Sequence, residues 1–317
     1  MILPASRKNV VYAVDFLRNG QLVVLPTETV YGLAADATNG IAVAEIFSIK
    51  KRPGFNPLIV HVSGLAMSER YAIIDPLSHK LMERFWPGPL TLILSLREKS
   101  EIHPLVTAGL TTIALRNPKG IFFDIIKEYG LPLAAPSANL SGRMSATTVY
   151  AVEDSLARKV PLILDGGPCS VGIESTIIKV SGKEVFLLRP GGLARTEIEE
   201  VLARKIQQLD RPAEIESPGL LGRHYAPNTK LRLNAMELYD REALLAFGPS
   251  RIESAEKAIA LLNLSPSGDL KEASACLFDY LHKLDKVNAD CIAVQRVPME
   301  GLGEAINDRL IRAAFLC

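Results

Sequence analysis

Three cations and an amide fall close together early in the chain: Lys50, Lys51, Arg52 and Asn56. They lie within the stretch from Gln21 to Val62. There one apolar run ends in Pro26-Thr27-Glu28-Thr29, and a second apolar run carries His61. Such cations can neutralise a polyphosphate, arginine through a two-pronged fork and lysine as a point charge. If the chain leaves its helix extended, the Lys50–Arg52 spacing points both toward one ligand. The competing reading is a helix end complemented by positive charge. The Ala135–Asn139 segment, with Ser141 and Gly142, follows an apolar strand and offers hydroxyl, amide and backbone donors suited to phosphate or ribose. The same residues also compose an ordinary turn. Gly172-Ile173-Glu174-Ser175-Thr176 opens another apolar strand, Leu188-Arg189-Pro190-Gly191 closes the next, and Arg116 ends one of its own. Lys50, Arg52, Arg116 and Arg189 therefore all stand at the ends of core elements, where a scaffold usually carries its site. His61, between Val60 and Val62, faces away from both and reads by itself as a structural histidine.

Other chemistries find little support. The cysteines Cys169, Cys276, Cys291 and Cys317 form no close pair, and the five histidines form no HExxH, so neither a disulfide framework nor a protein-built metal cage is expected. A metal would come with a phosphate ligand, as magnesium does. No Gly-x-Ser-x-Gly elbow supports nucleophilic hydrolysis, and no Rossmann fingerprint or Walker loop explains nucleotide binding. The net charge is +1, split as +5 over residues 1–195 and −4 over residues 196–317. That mild basic excess suits small anions and falls short of the stripe a dedicated nucleic-acid binder carries. Apolar runs are strand-length, and the N-terminus carries no export signal, so a cytoplasmic location away from membranes is expected.

The positioning elements follow from periodicity. Strands are predicted at 21–25, 58–62, 90–96, 111–116, 131–135, 161–164, 173–180 and 184–188, and helices near 8–19, 40–51, 76–85, 120–129 and 146–157. A further helix is expected over 196–208, with Thr196 as N-cap and Glu199 completing a capping box. The mixed order argues for an α/β domain over residues 1–200. A Pro- and Gly-rich linker or lid spans 201–229. A small, doubly wound α/β module of Rossmann-like style covers 230–317, with short strands at 243–247, 258–264 and 291–297. In that module Leu270, Ala273, Leu277, Phe278, Leu281 and Leu284 share one helix face, with Asp269 and Glu272 as its capping pair.

Taken in order, PTETVYGL, KKRPGFNPL, TIALR, APSANLSG, GIEST and LRPG resemble the YrdC-like family. The SPGLLGRHYAP linker and the LSPSGDL and GLGEAINDRLIRAA segments are similar to its two-domain form. The resemblance implies a twisted mixed sheet with a concave cationic cleft, and an enzyme that joins L-threonine, bicarbonate and ATP into threonylcarbamoyl-AMP and pyrophosphate. That nucleotidyltransferase product would feed tRNA threonylcarbamoyladenosine modification through a downstream threonylcarbamoyl transferase, so tRNA would be met only indirectly. By motif, Lys50, Arg52, Asn56, Thr112, Ser137, Asn139, Ser145 and Arg189 should contact ATP, with Tyr225 in the lid and Mg2+ arriving on the nucleotide. Thr29, His61, Arg116 and Ser175 should contact L-threonine. Lys50 and Arg52 would serve the triphosphate as the catalytic cations, and Arg116 the threonine carboxylate. A carbamate is already an anionic nucleophile and needs no general base. Two other readings stand beside this one: carbamoyl transfer to another acceptor, and a double-stranded RNA-binding module of the same fold.

Overall fold

A computed structural model describes residues 1–156, 159–208 and 224–314. Its larger sheet is mixed and has 12 strands among the described residues. From one edge the order is Ile2–Pro4, Leu162–Asp165, Val23–Leu25, Gly32–Asp36, Leu133–Ala134, Ile59–His61, Thr112–Arg116, Leu90–Leu96, Thr176–Ser181, Glu184–Arg189 and Gln207–Gln208, with Ala72–Ile73 added beside Leu90–Leu96. Period-two alternation divides each strand between two cores. Val23 and Leu25 pack under the helices Arg7–Arg18 and Ile121–Tyr129, whereas Val24 faces the helix Gly40–Lys50 through Ile46.

Local chemistry explains most element ends. Asn39 caps the helix Gly40–Lys50 by accepting from the amides of Ile41 and Ala42, and Asp75 caps Pro76–Phe85 in the same way. The helix Gly40–Lys50 ends on Lys51 in the left-handed region, with φ of 50°. The exit is therefore kinked and not extended, and extension is the condition on which the Lys50–Arg52 spacing reading depends. The kink throws Lys51 outward and leaves Lys50 and Arg52 buried.

Several boundaries differ from the sequence reading. The helix expected over 196–208 is Arg195–Leu202, its N-cap is Ala194, and the Glu197 carboxylate, not Glu199, accepts from the cap amide. The Glu199 carboxylate instead takes the Ile206 amide and the Lys205 ammonium beyond the helix, a stronger use of that charge. The strand expected from 173 begins at Thr176, because Gly172–Ser175 is a loop. Gly32–Asp36 is a buried strand that its Gly and Ala content conceals. The linker interior, 209–223, the end of the helix expected at 157, and Cys317 lie outside the described residues.

Beyond the linker, four parallel strands form a second sheet in the order Lys230–Arg232, Cys291–Val294, Glu242–Ala246, Leu261–Asn263. One face carries the helices Leu270–Asp285 and Gly303–Ala314 through Leu277, Phe278, Leu281, Ile306 and Leu310. Asp269 caps the first of these, but Glu272 bonds the Ser265 hydroxyl instead of the cap amide. The two halves share this core, since Met144, Ile173 and Tyr225 belong to it.

Gly172 marks where the halves are closest. Its φ is +75°, and a Cβ there would lie 2.3 Å from the Ser274 carbonyl oxygen and 2.5 Å from the Ala275 Cα. Gly172→Ala should cost about 2 kcal/mol or more, combining left-handed strain with backbone overpacking. Gly182, with φ of +60° and nothing within 4 Å, is the control that bears strain alone. Urea midpoints would separate them, and equal losses in the two variants would refute the close-contact argument.

Candidate functional site

The ends of neighbouring strands converge on one small pocket of about 50 Å3. Thr27 and Val30 come from the loop after Val23–Leu25, His61 and Arg116 from paired strand ends, and Pro136 and Ser137 from the turn after Leu133–Ala134. Glu174 and Ser175 precede Thr176–Ser181, Arg189 ends the strand paired with it, and Arg52 enters from the helix exit. His224 and Tyr225 close the remaining side. With a volume of about 50 Å3, the pocket has room for only a few water molecules.

Its cations are dry and are held mainly by carbonyl groups. Lys50 is 1% exposed, and its ammonium donates to the Ser137 carbonyl at 2.5 Å and to the Asn139 carbonyl. Burial, and then the charge of Arg52, pushes its pKa well below the usual lysine range. The Arg52 guanidinium donates to the carbonyls of Asn56 at 3.0 Å and Pro57 at 2.8 Å. Burial lowers it to about 10, with Arg189 adding to the fall and Tyr225 opposing it. Arg189 holds the Ser175 carbonyl at 2.8 Å and its hydroxyl at 3.2 Å, and burial lowers it too. Arg116 pairs with an acid, the Glu28 carboxylate at 2.7 Å.

Glu174 supplies a carboxylate to the pocket wall itself. It accepts from the Ser145 hydroxyl, and from the Arg309 guanidinium at 2.7 Å. Burial alone would raise its pKa, but Arg309, Arg189 and Ser145 outweigh that and bring it down to about 2. Arg309 comes from the helix Gly303–Ala314, lies 5.0 Å from the Tyr225 ring centroid, and also donates to the Pro190 carbonyl at 2.9 Å.

The anticipated residues separate into groups. Arg52, His61, Arg116, Ser137, Ser175, Arg189 and Tyr225 line the pocket, while Lys50, Asn56, Asn139 and Ser145 are buried outside its lining. Thr29 is fully buried with its hydroxyl 2.8 Å from that of Thr27, and Thr27 is the one at the wall. Thr112 starts the strand that Arg116 ends, four residues or about 13 Å away. Glu28, Glu174 and Arg309 were not singled out. An acidic neighbour within a cation-bearing motif was the available signal for the first two, and Arg309 carried none. Buried polar atoms without a partner gather here: Asn56 Oδ1, His61 Nδ1, Asn139 Oδ1, His224 Nδ1, the Tyr225 hydroxyl and one Arg309 nitrogen. Such groups are costly unless something bonds them. His61 stacks on Phe122 at 4.9 Å and is kept neutral by burial and then by Arg116. No group of three or more metal-ligating side chains occurs among the described residues, and no described helix is long and apolar enough to cross a membrane.

Comparison with known proteins adds an independent line. The family described as Telomere recombination matches residues 15–191, and the threonylcarbamoyl-AMP synthase C-terminal domain family matches residues 193–315. The threonylcarbamoyl-AMP synthase of Bacillus subtilis is 36% identical, the alignment covering 98% of this chain and 94% of that protein. That of Pyrococcus abyssi is also 36% identical, over 95% and 93%. The crystal structure of P. abyssi Sua5 complexed with L-threonine superposes with a TM-score of 0.90 at 32% identity, covering 99% of this chain and 97% of that one. A P. abyssi Sua5 variant with an adjacent His and Tyr both replaced by Ala superposes with a TM-score of 0.88.

His224 gives the site a pH signature. Burial first, then Lys50, Arg52 and Arg189, lower it to about 3 from an ordinary 6.5, against the opposing pull of Glu174. The unfolded chain thus binds the proton that the fold refuses, and stability falls as pH drops from about 6.5 toward 3. Glu174, depressed to about 2 from 4.5, adds its loss only below about 4.5. His224→Gln should therefore lose less stability than the native protein between about pH 7 and 5 in urea titrations, with His61 leaving a residual slope. Parallel pH profiles for the two proteins would contradict this.

Proposed function

We infer, from the premise that this chain belongs to the family of threonylcarbamoyl-AMP synthases, that it joins L-threonine, bicarbonate and ATP into threonylcarbamoyl-AMP and pyrophosphate. The observation that carries this reading is the gathering of buried, carbonyl-held cations and unpartnered polar atoms around one pocket. It occurs in a chain that matches such synthases along nearly its full length.

In this reading bicarbonate loses hydroxide to give carbon dioxide. The threonine amine attacks its carbon, forming a C–N bond as one C–O π bond opens. The amine proton leaves with the hydroxide as water, giving a carbamate oxygen anion. That oxygen attacks the α-phosphorus, an O–P bond forms, and the P–O bond to pyrophosphate breaks. No side chain needs to remove a proton from the nucleophile in the second step. The protein's work is to bring an anion to an anion and hold both in line.

Arg52 and Arg189, already dry, would fork onto phosphate oxygens without first shedding water, and Lys50 would add a point charge beside them. Mg2+ would add charge neutralisation on the triphosphate. The pocket's carboxylate, Glu174, is engaged by Arg309, and the nearby Glu28 by Arg116, which would suit a metal held by phosphate oxygens and water. Arg116, fixed by Glu28, is placed for the threonine carboxylate. Neutral His61, with Nδ1 unpartnered, is placed for the threonine hydroxyl and would select against analogues lacking it. Asn56, Ser137, Asn139 and Ser145 complete the nucleotide side, with Thr112 standing further off. Ser175 and the Thr27–Thr29 turn complete the threonine side. The product then passes to a downstream threonylcarbamoyl transferase in the cytoplasm.

The His224–Pro227 segment acts as the lid, excluding water from a carbamate and an acyl-adenylate that both hydrolyse readily. Pyrophosphate release should require threonine, and Arg52→Ala or Arg189→Ala should lower it by about 100-fold, the scale of a lost charged contact in a dry site. Release at the same rate without threonine would refute the reaction. Replacing His224 and Tyr225 together by Ala should lower intact threonylcarbamoyl-AMP recovered per pyrophosphate released, read by chromatography. An unchanged ratio would remove the lid role.

A further inference from the structure

The smaller sheet carries a second crevice, remote in sequence from the catalytic pocket. Its four strands are parallel. The chain leaves Glu242–Ala246 toward the edge strand Leu261–Asn263, and then returns through the helix Leu270–Asp285, which packs on Glu242–Ala246, to reach Cys291–Val294. From Cys291–Val294 it departs the opposite way, into the helix Gly303–Ala314 against Lys230–Arg232. Connections thus leave two adjacent strands in opposite directions. Outside the carboxyl ends of such strands, open parallel sheets bind ligands.

A cavity of about 240 Å3 lies beside that point, over Glu242–Ala246 and the edge strand Leu261–Asn263, with Gln295 at its margin. Its floor is apolar, from Leu244, Ala246, Ala255 and Leu261. Its wall is the loop Gly248–Arg251, clamped from both sides by carboxamides that follow the neighbouring strands. Asn263 donates to the Gly248 carbonyl at 2.9 Å. Gln295 accepts from the Phe247 amide at 3.3 Å and donates to the Ser250 carbonyl at 3.0 Å. Gly248, with φ of +81°, makes the turn that this clamping needs. The rim carries Arg251, exposed and without an ion pair or hydrogen bond among the described residues, beside the Ser250 hydroxyl. No carboxylate lines the cavity.

We propose that this crevice binds a nucleoside monophosphate, its base on the apolar floor and its phosphate on Arg251 and the Ser250 hydroxyl and amide. A preformed loop, one unopposed cation and an apolar floor suit a small ligand with one anionic end. The inference rests on the topology and chemistry of this sheet and is independent of the reaction proposed for the other pocket.

AMP is the probe, titrated calorimetrically into the full-length protein. Binding should persist in Arg52→Ala, and Arg251→Glu should weaken that remaining site at least tenfold while leaving pyrophosphate release unchanged. Photolabelling with 8-azido-AMP should mark the peptide carrying Leu244–Arg251, and inorganic phosphate should compete far less well than AMP. Three results would overturn the proposal. They are loss of all AMP binding in Arg52→Ala, equal affinity in the native protein and Arg251→Glu, and label confined to peptides within residues 27–189. Competition by phosphate equal to that of AMP would remove the role of the floor.

Discussion

A pocket that receives an anion must keep its cations dry and near one another while the anion is away, and that requirement governs much of this fold. Removing an ammonium or guanidinium from water costs several kcal/mol unless other groups replace the hydration. Carboxylates would do so too well, because a fully paired cation offers nothing to a ligand. For two of the cations here the replacement is carbonyl oxygen: Ser137 and Asn139 for Lys50, Asn56 and Pro57 for Arg52. Dipoles of this kind stabilise a positive charge without cancelling it. The depressed pKa values of Lys50 and Arg52 are the physical mark of that partial compensation.

The same requirement explains why the two halves act as one body. The pocket tolerates one deeply buried carboxylate opposite this cluster, Glu174, and that acid is shared with Arg309 from the far helix. Breaking such a pair from either side leaves an uncompensated buried charge, which is far worse than never having had the pair. Arg309 further fixes the Pro190 carbonyl, next to Arg189, and spreads its charge over the Tyr225 ring. The close approach at Gly172 holds GIEST against the helix Leu270–Asp285. The smaller sheet is thereby tied to the catalytic wall, and its helices help to shape a pocket they do not line.

Strands and helices were legible wherever burial wrote itself into composition. Leu90–Leu96 and Thr112–Arg116 are β-branched and leucine-rich, and Leu270–Asp285 shows its apolar face at helical spacing. Legibility failed where small residues carry the backbone, as in Gly32–Asp36, or where a strand is only an edge, as in Ile2–Pro4. The polar motifs were visible as a set, yet their internal geometry was not. Whether Thr27 or Thr29 meets the pocket depends on a turn in which the Thr27 hydroxyl takes the Val30 amide and gives to its carbonyl. Arg309, 135 positions from Glu174, was beyond any local pattern, because an ion pair at that separation is set by how two sheets pack.

The lid position carries costs of its own. Tyr225 has φ of 63°, a conformation that costs a residue with a side chain about 1–2 kcal/mol. Its hydroxyl is buried without a partner, and so is Nδ1 of His224. Against these costs stand the Arg309 contact with the Tyr225 ring, the edge-on packing of His224 at 4.0 Å, and Phe278 at 5.7 Å. A desolvated cation–ring contact contributes about 2 kcal/mol, and burial of the Tyr225 ring in the core shared by both halves adds to it. In the proposed reaction this segment would move aside when a triphosphate needs the space. It can also return, because a bound anion would give the two unpartnered atoms something to bond. If the segment is the proposed lid, its strain would let the ligand decide when the pocket closes.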